Sequence, residues 1–234
     1  MKKYLAREEF YPGLVSLVFK KNYLDRRELL KKVKKYKGLV VGDVLDIGCG
    51  RKPYRELFGK VDRYVGIDIE NPGHNHLNEQ IDLFFDGINI PLKDSSFDTI
   101  VLFQVIEHVR DLDLLILEIK RVLRPKGKVL ISFPFIWPLH ELPNDFRRFT
   151  PNGAKNLFES KGFKILRSEK IMGNYSIFFL FGQFFLNELG EKLPKVIRFL
   201  FFPIIFLLNI LGLIFSKFKT KNLYVENFLV IAKK

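Results

Sequence analysis

Val44-Leu45-Asp46-Ile47-Gly48-Cys49-Gly50 is the stretch from which the rest of the chain can be read. Val41 to Ile47 is a short apolar run bounded by glycines. Such a run marks a strand buried on both faces, as in a parallel sheet. It ends in an acid and then breaks into Gly-Cys-Gly. Two glycines two apart make a tight turn whose backbone can approach a ligand closely. Arg51 to Phe58 follows, and its pattern allows a helix whose free N–H groups would face the turn. One stretch thus points to a nucleotide-type site at the carboxyl edge of an α/β sheet.

Further strands follow outward from it. Arg63 to Ile69 is a second strand and ends in Asp68. The spacing from Asp46 to Asp68 is about that at which an acid reaches the ribose hydroxyls of a nucleotide lying on the first turn. A carboxylate accepts from both hydroxyls at once, which is why an acid belongs there. Ile81 to Asp86 reads as a third strand and Thr99 to Phe103 as a fourth, followed by Gln104. Leu112, Leu115, Ile116, Ile119 and Leu123 recur with helical spacing, and Arg124-Pro125-Lys126-Gly127 ends that helix. Lys128 to Phe133 is a fifth strand, Phe163 to Glu169 a sixth and Phe228 to Ala232 a seventh. Asn152 to Lys161 is helical, with Thr150-Pro151 starting it and Gly162 closing it. Strands alternating with helices predict a doubly wound α/β sheet, and ligands in such sheets bind beyond the carboxyl ends of the strands. Asp46, Gly48, Gly50, Asp68, Asp86 and Gln104 all fall on that edge.

At 234 residues the chain holds one sizeable α/β core plus additions. A single cysteine excludes an internal disulfide and fits a reducing compartment. Met1 to Phe10 carry charges of both signs and no apolar core, so no signal peptide is expected and the expected location is cytoplasmic. A net charge of +13 suggests an anionic partner, a membrane surface or a nucleic acid. Lys20 to Lys37 is strongly basic around a rough helical stripe of Leu24, Leu29, Leu30 and Val33. That pattern suits a cap helix with a solvated basic face, or a surface meeting anionic lipid or substrate.

The motifs resemble those of the class I S-adenosylmethionine-dependent methyltransferases of the type 11 kind, over roughly Leu39 to Phe163 plus the last strand. Val44–Gly50 looks like the family's first motif, with Asp68 at the ribose acid and Asp86 at the acid that holds the adenine amino group. Phe103–Val109 matches the segment after the fourth strand, and Arg121–Ile131 the approach to the fifth. The resemblance implies a Rossmann-like, seven-stranded, mostly parallel sheet of order 3-2-1-4-5-7-6 with helices on both faces and the last strand antiparallel. It implies S-adenosyl-L-methionine as cofactor, held by Asp46, Gly48, Cys49, Gly50, Asp68, Ile69, Asp86, Gly87, Gln104, Glu107 and His108. Two departures stand out. Arg51-Lys52-Pro53 replaces a small residue after the glycine turn, which alters the charge beside the cofactor, and Lys126 replaces a commoner glycine at a solvent-facing turn. A nicotinamide dehydrogenase fits poorly, because Pro53 falls where its third glycine should be.

Methyl transfer mainly asks the protein to align an acceptor and exclude water, with a base needed only where the acceptor loses a proton. His140 to Thr150, after the fifth strand, holds a histidine, two acids and two arginines. Its form resembles a loop seen in a subset of the family. His140 is the candidate base, since an imidazole titrates near neutrality. Glu141, Asp145, Arg147 and Arg148 are candidate acceptor-binding residues, and either arginine could instead pair with Asp145 as an internal lock. His74 and His76 lack cysteine or acid partners at metal spacing, so no metal is expected.

Tyr175 to Leu186 and Val196 to Phe215 are apolar runs, followed by Lys217, Lys219 and Lys221. The second approaches the ~20 residues that cross a bilayer, but it contains Arg198, Pro203 and Asn209. A hairpin lying in one leaflet fits better, with a buried or dimeric helix pair as the alternative. The sequence therefore divides into a basic cap (1–38), a methyltransferase core (39–174), an apolar helical insert (175–222) and the last core strand (223–234). The expected protein is a peripheral or monotopic enzyme on the cytoplasmic membrane face, acting on a small-molecule or lipid-linked acceptor. Its oligomeric state is left open. An RNA methyltransferase is less favoured, because no basic-aromatic appendage is present; a cofactor-binding scaffold without activity is the non-enzymatic alternative.

Overall fold

The computed structural model describes residues 7–70 and 80–233; His74 and His76 lie outside them. The chain divides into two compact units.

The larger unit, residues 34–169 and 226–233, holds the sheet. Its strands are β1 (Val41–Ile47), β2 (Lys60–Ile69), β3 (Leu83–Phe85), β4 (Phe97–Phe103), β5 (Leu123–Pro134), β6 (Phe163–Ile171, whose last two residues belong to the other unit) and β7 (Glu226–Lys233). Their order is β3-β2-β1-β4-β5-β7-β6, as expected. β1 pairs parallel with both β2 and β4, and β7 pairs antiparallel with β5. Val44 to Ile47 and Ile100 to Leu102 are buried. A strand flanked by neighbours and covered on both faces reads as a continuous apolar run, which is why β1 and β4 stood out in the sequence. Helix α3 (Leu112–Val122), the third in chain order after α1 (Leu14–Phe19) and α2 (Tyr23–Tyr36), buries Leu112, Leu115, Ile116, Ile119 and Val122. Those side chains join one core with Leu45, Ile47, Phe97, Ile131 and Phe133. Helix α4 (Pro151–Ser160) starts where Thr150 Oγ1 accepts from the Gly153 N–H at 3.0 Å.

Ion pairs close the amino-terminal edge of the sheet. Arg124 donates to Asp43 at 2.8 Å and to Asp98, while Asp98 accepts from the Asp43 N–H at 2.9 Å. Arg121 ties Glu118 and Asp94 to the carbonyls of Ile90 and Leu92. The Arg121–Gly127 motif is thus structural, and the opposite, carboxyl edge is left for the site.

Two expectations need correction. Arg51 to Phe58 forms no α-helix; only Arg55–Leu57 makes a 3₁₀ turn. Pro53 has no N–H to donate, and Lys52 sits at φ 49°, outside the helical region. Arg124–Gly127 is an irregularity within β5 rather than a turn before it. Leu123 already pairs with Phe97, the register then shifts, and Lys128 pairs with Thr99. Lys126 takes φ 64° there, a conformation that suits the commoner glycine better.

The smaller unit comprises residues 7–33 and 170–225. It contains α1, the first part of α2, α5 (Ser176–Glu191) and α6 (Phe202–Phe215). The cap and the insert, read from the sequence as separate regions, therefore build one body. Asn209 is fully buried at its centre. Its Nδ2 donates to the carbonyls of Leu17 (2.8 Å) and Lys20 (3.2 Å), and its Oδ1 accepts from Gln183 Nε2 at 2.9 Å. Gly212 lets α6 press against Leu24, where a Cβ would come within 2.3 Å of a methyl. Around this polar clamp much of the surface is apolar: Phe178, Phe185, Phe199, Leu200, Leu207 and Phe218 are all more than half exposed. Among the described residues no helix is long and apolar enough to cross a membrane.

Candidate active site

The glycine turn stands where β1 ends. Gly48 has φ 67° and Gly50 φ 44°. A Cβ on Gly48 would lie 2.5 Å from Val105, so the turn packs tightly against the segment after β4. A Cβ on Gly50 would meet nothing within 4 Å, which leaves its outer side open for a ligand. Asp68, at the end of β2, braces this turn: its carboxylate accepts from the Gly50 N–H at 2.8 Å and from the Ile69 N–H at 2.8 Å. Each carboxylate oxygen has a further lone pair, so bracing the turn and accepting from a hydroxyl are compatible.

Beneath the turn lies a buried polar floor that sequence reasoning did not find. Tyr64 OH donates to Asp46 Oδ2 at 2.7 Å. Burial pushes the Asp46 carboxyl up to about 7, with the Asp68 charge adding and the Tyr64 hydrogen bond opposing. Lys52 is buried and pairs with Asp82, which also accepts from the Gly66 N–H at 2.7 Å. Burial opposes ionisation of Asp82, but Lys52 and the Gly66 N–H hold its carboxyl below the usual range. Gly66 is required here, since a Cβ would come within 2.3 Å of Lys52 and 2.6 Å of Cys49 Sγ. Lys52 therefore turns its charge into an ion pair rather than toward a ligand. The signal that could have found it is the absent side chain of Gly66, opposite Asp46 across β1 and β2. The Cys49 thiol is buried, and that burial pushes its pKa up.

Asp86 and Gly87 follow β3 on the same edge. Asp86 closes a local turn, accepting from the N–H groups of Ile88 (2.8 Å) and Asn89 (2.6 Å) and from the Asn89 amide at 2.6 Å. The Asn89 amide, with those backbone donors, holds its carboxyl below the usual range. Gly87 has φ 87° and lies over Ile69. The ends of β2 and β3 thus bring Asp68, Ile69, Asp86 and Gly87 together.

Gln104 follows β4 at φ 60°, an uncommon conformation for a side-chain-bearing residue and one that gathers at functional sites. Its amide donates to Ser132 Oγ at 2.8 Å. Glu107 follows, completely buried, and among the described residues no other residue donates a hydrogen bond to either carboxylate oxygen. Burial pushes its carboxyl up to about 8. The loop after β5 folds over this segment, where the Phe146 N–H donates to the Glu107 carbonyl at 3.0 Å. His108 and His140 meet edge to face with ring centroids 4.6 Å apart. Burial, then the neighbouring His108, lowers the His140 pKa, so that its imidazole is neutral at pH 7.

Arg148 grips Asp145 through both terminal nitrogens, at 2.5 and 2.7 Å, and also donates to the carbonyls of Arg147 and Pro138. Asp145 has no exposed side-chain surface. Of the two roles considered for Arg148, its hydrogen bonds describe the lock. Arg147 donates to the Arg110 carbonyl at 2.7 Å and lines a separate surface groove with Asp113 and Leu157. Glu141 stands closer, with Oε2 3.8 Å from His108 Nε2.

The model of the methyltransferase domain matches residues 45–131. A probable S-adenosylmethionine-dependent methyltransferase of Mycolicibacterium smegmatis is 33% identical over 172 residues, covering 69% of this chain and 65% of that protein. The chain thus spans just under two thirds of that relative's length. An uncharacterised protein of Methanocaldococcus jannaschii is 29% identical over 205 residues, covering 81% and 88% of the two chains. Among solved structures, an S-adenosylmethionine-dependent methyltransferase of Archaeoglobus fulgidus superposes with a TM-score of 0.56 at 18% identity, covering 100% of each chain.

Proposed function

Because the chain belongs to the class I S-adenosylmethionine-dependent methyltransferases of the type 11 kind, we propose that it methylates a small-molecule or lipid-linked acceptor at a membrane surface. The cofactor fits the cradle: Gly50 leaves open space on the turn, and the Asp68 carboxylate beside it suits a ligand carrying ribose hydroxyls and positive charge. S-adenosylmethionine supplies an activated methyl group when bound. The chain's part is to place the acceptor and keep water out. Gly48 and Gly50 seat the methionine end, Asp68 the ribose, and the Asp86–Gly87 turn the adenine. The locked loop 138–149 covers the acceptor side. Neutral His140 takes the proton of a hydroxyl acceptor as the new bond forms.

One observation carries the membrane reading. The smaller unit exposes large apolar side chains on α5, α6 and the turns between them, including Phe185 at 76% and Leu200 at 69%. Lys192, Arg198, Lys217, Lys219 and Lys221 lie on the same segment. Exposed apolar side chains with cations nearby in the chain suit the interface of an anionic bilayer. The test is flotation with vesicles of phosphatidylglycerol and phosphatidylcholine. The parent chain should float, and Phe199→Ser with Leu200→Ser should leave it in the soluble fraction. A parent chain that stays with the soluble fraction defeats the membrane reading. Labelled S-adenosylmethionine with a lipid extract then tests transfer; no label in any acceptor defeats the enzymatic one.

A further inference from the structure

Glu107, His108 and His140 each offer a ligand atom, and these atoms lie within 4.8 Å of one another. The three residues come from two loops at the carboxyl edge of the sheet, one after β4 and one after β5. Chain spacing gives no hint of the grouping, and the sequence reading expected no metal.

Three features of the cluster are those of a ligand set. First, Glu107 presents two buried carboxylate oxygens to which no other described residue donates a hydrogen bond. A buried acceptor without a partner costs about 1–3 kcal/mol, more when charged, and a cation removes that cost. Second, both imidazoles are oriented from behind. His108 Nδ1 lies 2.7 Å from the Asn144 carbonyl, which can only accept, so Nδ1 carries the proton and Nε2 keeps its lone pair. That Nε2 faces Glu107 Oε1 at 3.9 Å and Glu141 Oε2 at 3.8 Å. His140 repeats the pattern: Nδ1 lies 3.2 Å from the Pro138 carbonyl and 3.3 Å from Asp145 Oδ2. Metal-bound histidines characteristically donate their other ring N–H to a carbonyl or carboxylate in this way. Third, the separations suit an intervening ion. His108 Nε2 and Glu107 Oε1, 3.9 Å apart, are too far apart to hydrogen-bond to one another, and the whole set lies within 4.8 Å, while ligands at about 2.0–2.2 Å from one ion sit roughly 3–3.5 Å apart. Small side-chain rotations close the difference.

We propose that Glu107, His108 and His140 bind one divalent transition-type cation, with open coordination positions facing the acceptor. Two imidazoles and one carboxylate favour zinc, iron, cobalt or manganese over magnesium or calcium, which prefer all-oxygen sets. Glu141 is the nearest further carboxylate. A hydroxyl bound at an open position is acidified and oriented at once, its proton leaving to water in place of His140, whose free lone pair the cation then occupies. This acceptor role rests on the methyl-transfer reading; the metal site itself does not.

The test uses the full chain, stripped with chelator and titrated with cobalt chloride. The parent should bind one cobalt per chain at micromolar concentration and develop visible ligand-field bands. His140→Ala, a partly exposed position, should weaken cobalt binding at least tenfold, and Glu107→Gln should do the same. S-adenosylhomocysteine binding, measured by calorimetry in parallel, should be unchanged in His140→Ala, which shows that the variant is folded. Absence of stoichiometric cobalt binding in the parent, or equal affinity in parent and His140→Ala, overturns the site. Cobalt binding without any S-adenosylhomocysteine binding leaves the metal site standing and removes the methyl-transfer reading instead.

Discussion

Asp46→Asn tests the buried floor of the cradle through the pH dependence of stability. Asp46 is 5% exposed, and its Oδ2 accepts from the Tyr64 hydroxyl at 2.7 Å. Burial is the main cause of its raised pKa, with Asp68 adding and with Tyr64 and Lys52 opposing, for a folded value of about 7. An unfolded aspartate titrates near 3.9. Because the folded value is the higher one, the stability linked to Asp46 is fully present below about pH 3.9 and is lost as pH rises through about 7. At about 1.4 kcal/mol per pH unit, the loss between pH 5 and pH 8 is on the order of 2–3 kcal/mol. For a domain of this size that corresponds to roughly 5–10 °C in Tm. Asparagine keeps an oxygen for Tyr64 and has no charge to bury. Thermal unfolding of the ligand-free chain, followed from pH 5 to 8, should therefore show a clearly flatter slope in Asp46→Asn than in the parent. Comparing slopes between the two proteins cancels the other groups that titrate in that window. Identical slopes would refute the account of Asp46 as a carboxyl forced toward neutrality by its surroundings.

Gly48→Ala should weaken S-adenosylhomocysteine binding at least tenfold by calorimetry, since alanine at φ 67° costs about 1–2 kcal/mol and its Cβ would press on Val105 at 2.5 Å. Adding Val105→Ala should restore part of the loss, the contact being relieved and the backbone strain not; parent-like binding in Gly48→Ala alone would deny that the turn is the cradle. Arg148→Ala leaves the fully buried Asp145 carboxylate without its cation and should cost about 2–4 kcal/mol in denaturant unfolding, with Asp145→Asn/Arg148→Ala milder than Arg148→Ala. Additive single losses would mean the two do not act as a lock. Thr150→Ala removes the cap on α4 and should lower stability by about 1 kcal/mol, read as a shift of a few degrees in Tm.

Much of the sheet is legible in the sequence because β1, β4 and β5 are covered on both faces and so cannot alternate polar and apolar residues. The stripe from Leu112 to Val122 is legible for the same reason, at helical period. What escaped the sequence was set by partners distant in the chain. Arg51–Phe58 looks helical until Lys52 is seen paired with Asp82, thirty residues on. Lys126 looks like a turn residue until the pairing of β5 with Phe97 and Thr99 forces an irregularity there. In the site, the glycines and strand-end acids carry their position in local pattern, so Gly48, Gly50, Asp68 and Asp86 could be picked out. Tyr64 beneath Asp46, Asn144 behind His108 and the meeting of His108 with His140 depend on how two strands and two loops are brought together, and no local signal encodes them.

The antiparallel pairing of β7 with β5 bears on how the chain is made. Lys128 faces Ala232 and Pro134 faces Glu226 in that ladder, so α4, β6 and the 170–225 part of the helical unit separate the two partners in the chain. A nascent chain that has emerged only as far as α6 has the edge of β5 still bare, with its N–H and C=O groups unpaired, and it already carries the apolar faces of α5 and α6. Both are surfaces on which unfinished chains associate. Pairing across so long a loop is also slow to form. The ribosome-bound chain therefore passes through a window, opened at Ser176 and closed only by Glu226–Lys233, in which holding chaperones or a nearby bilayer would shield it.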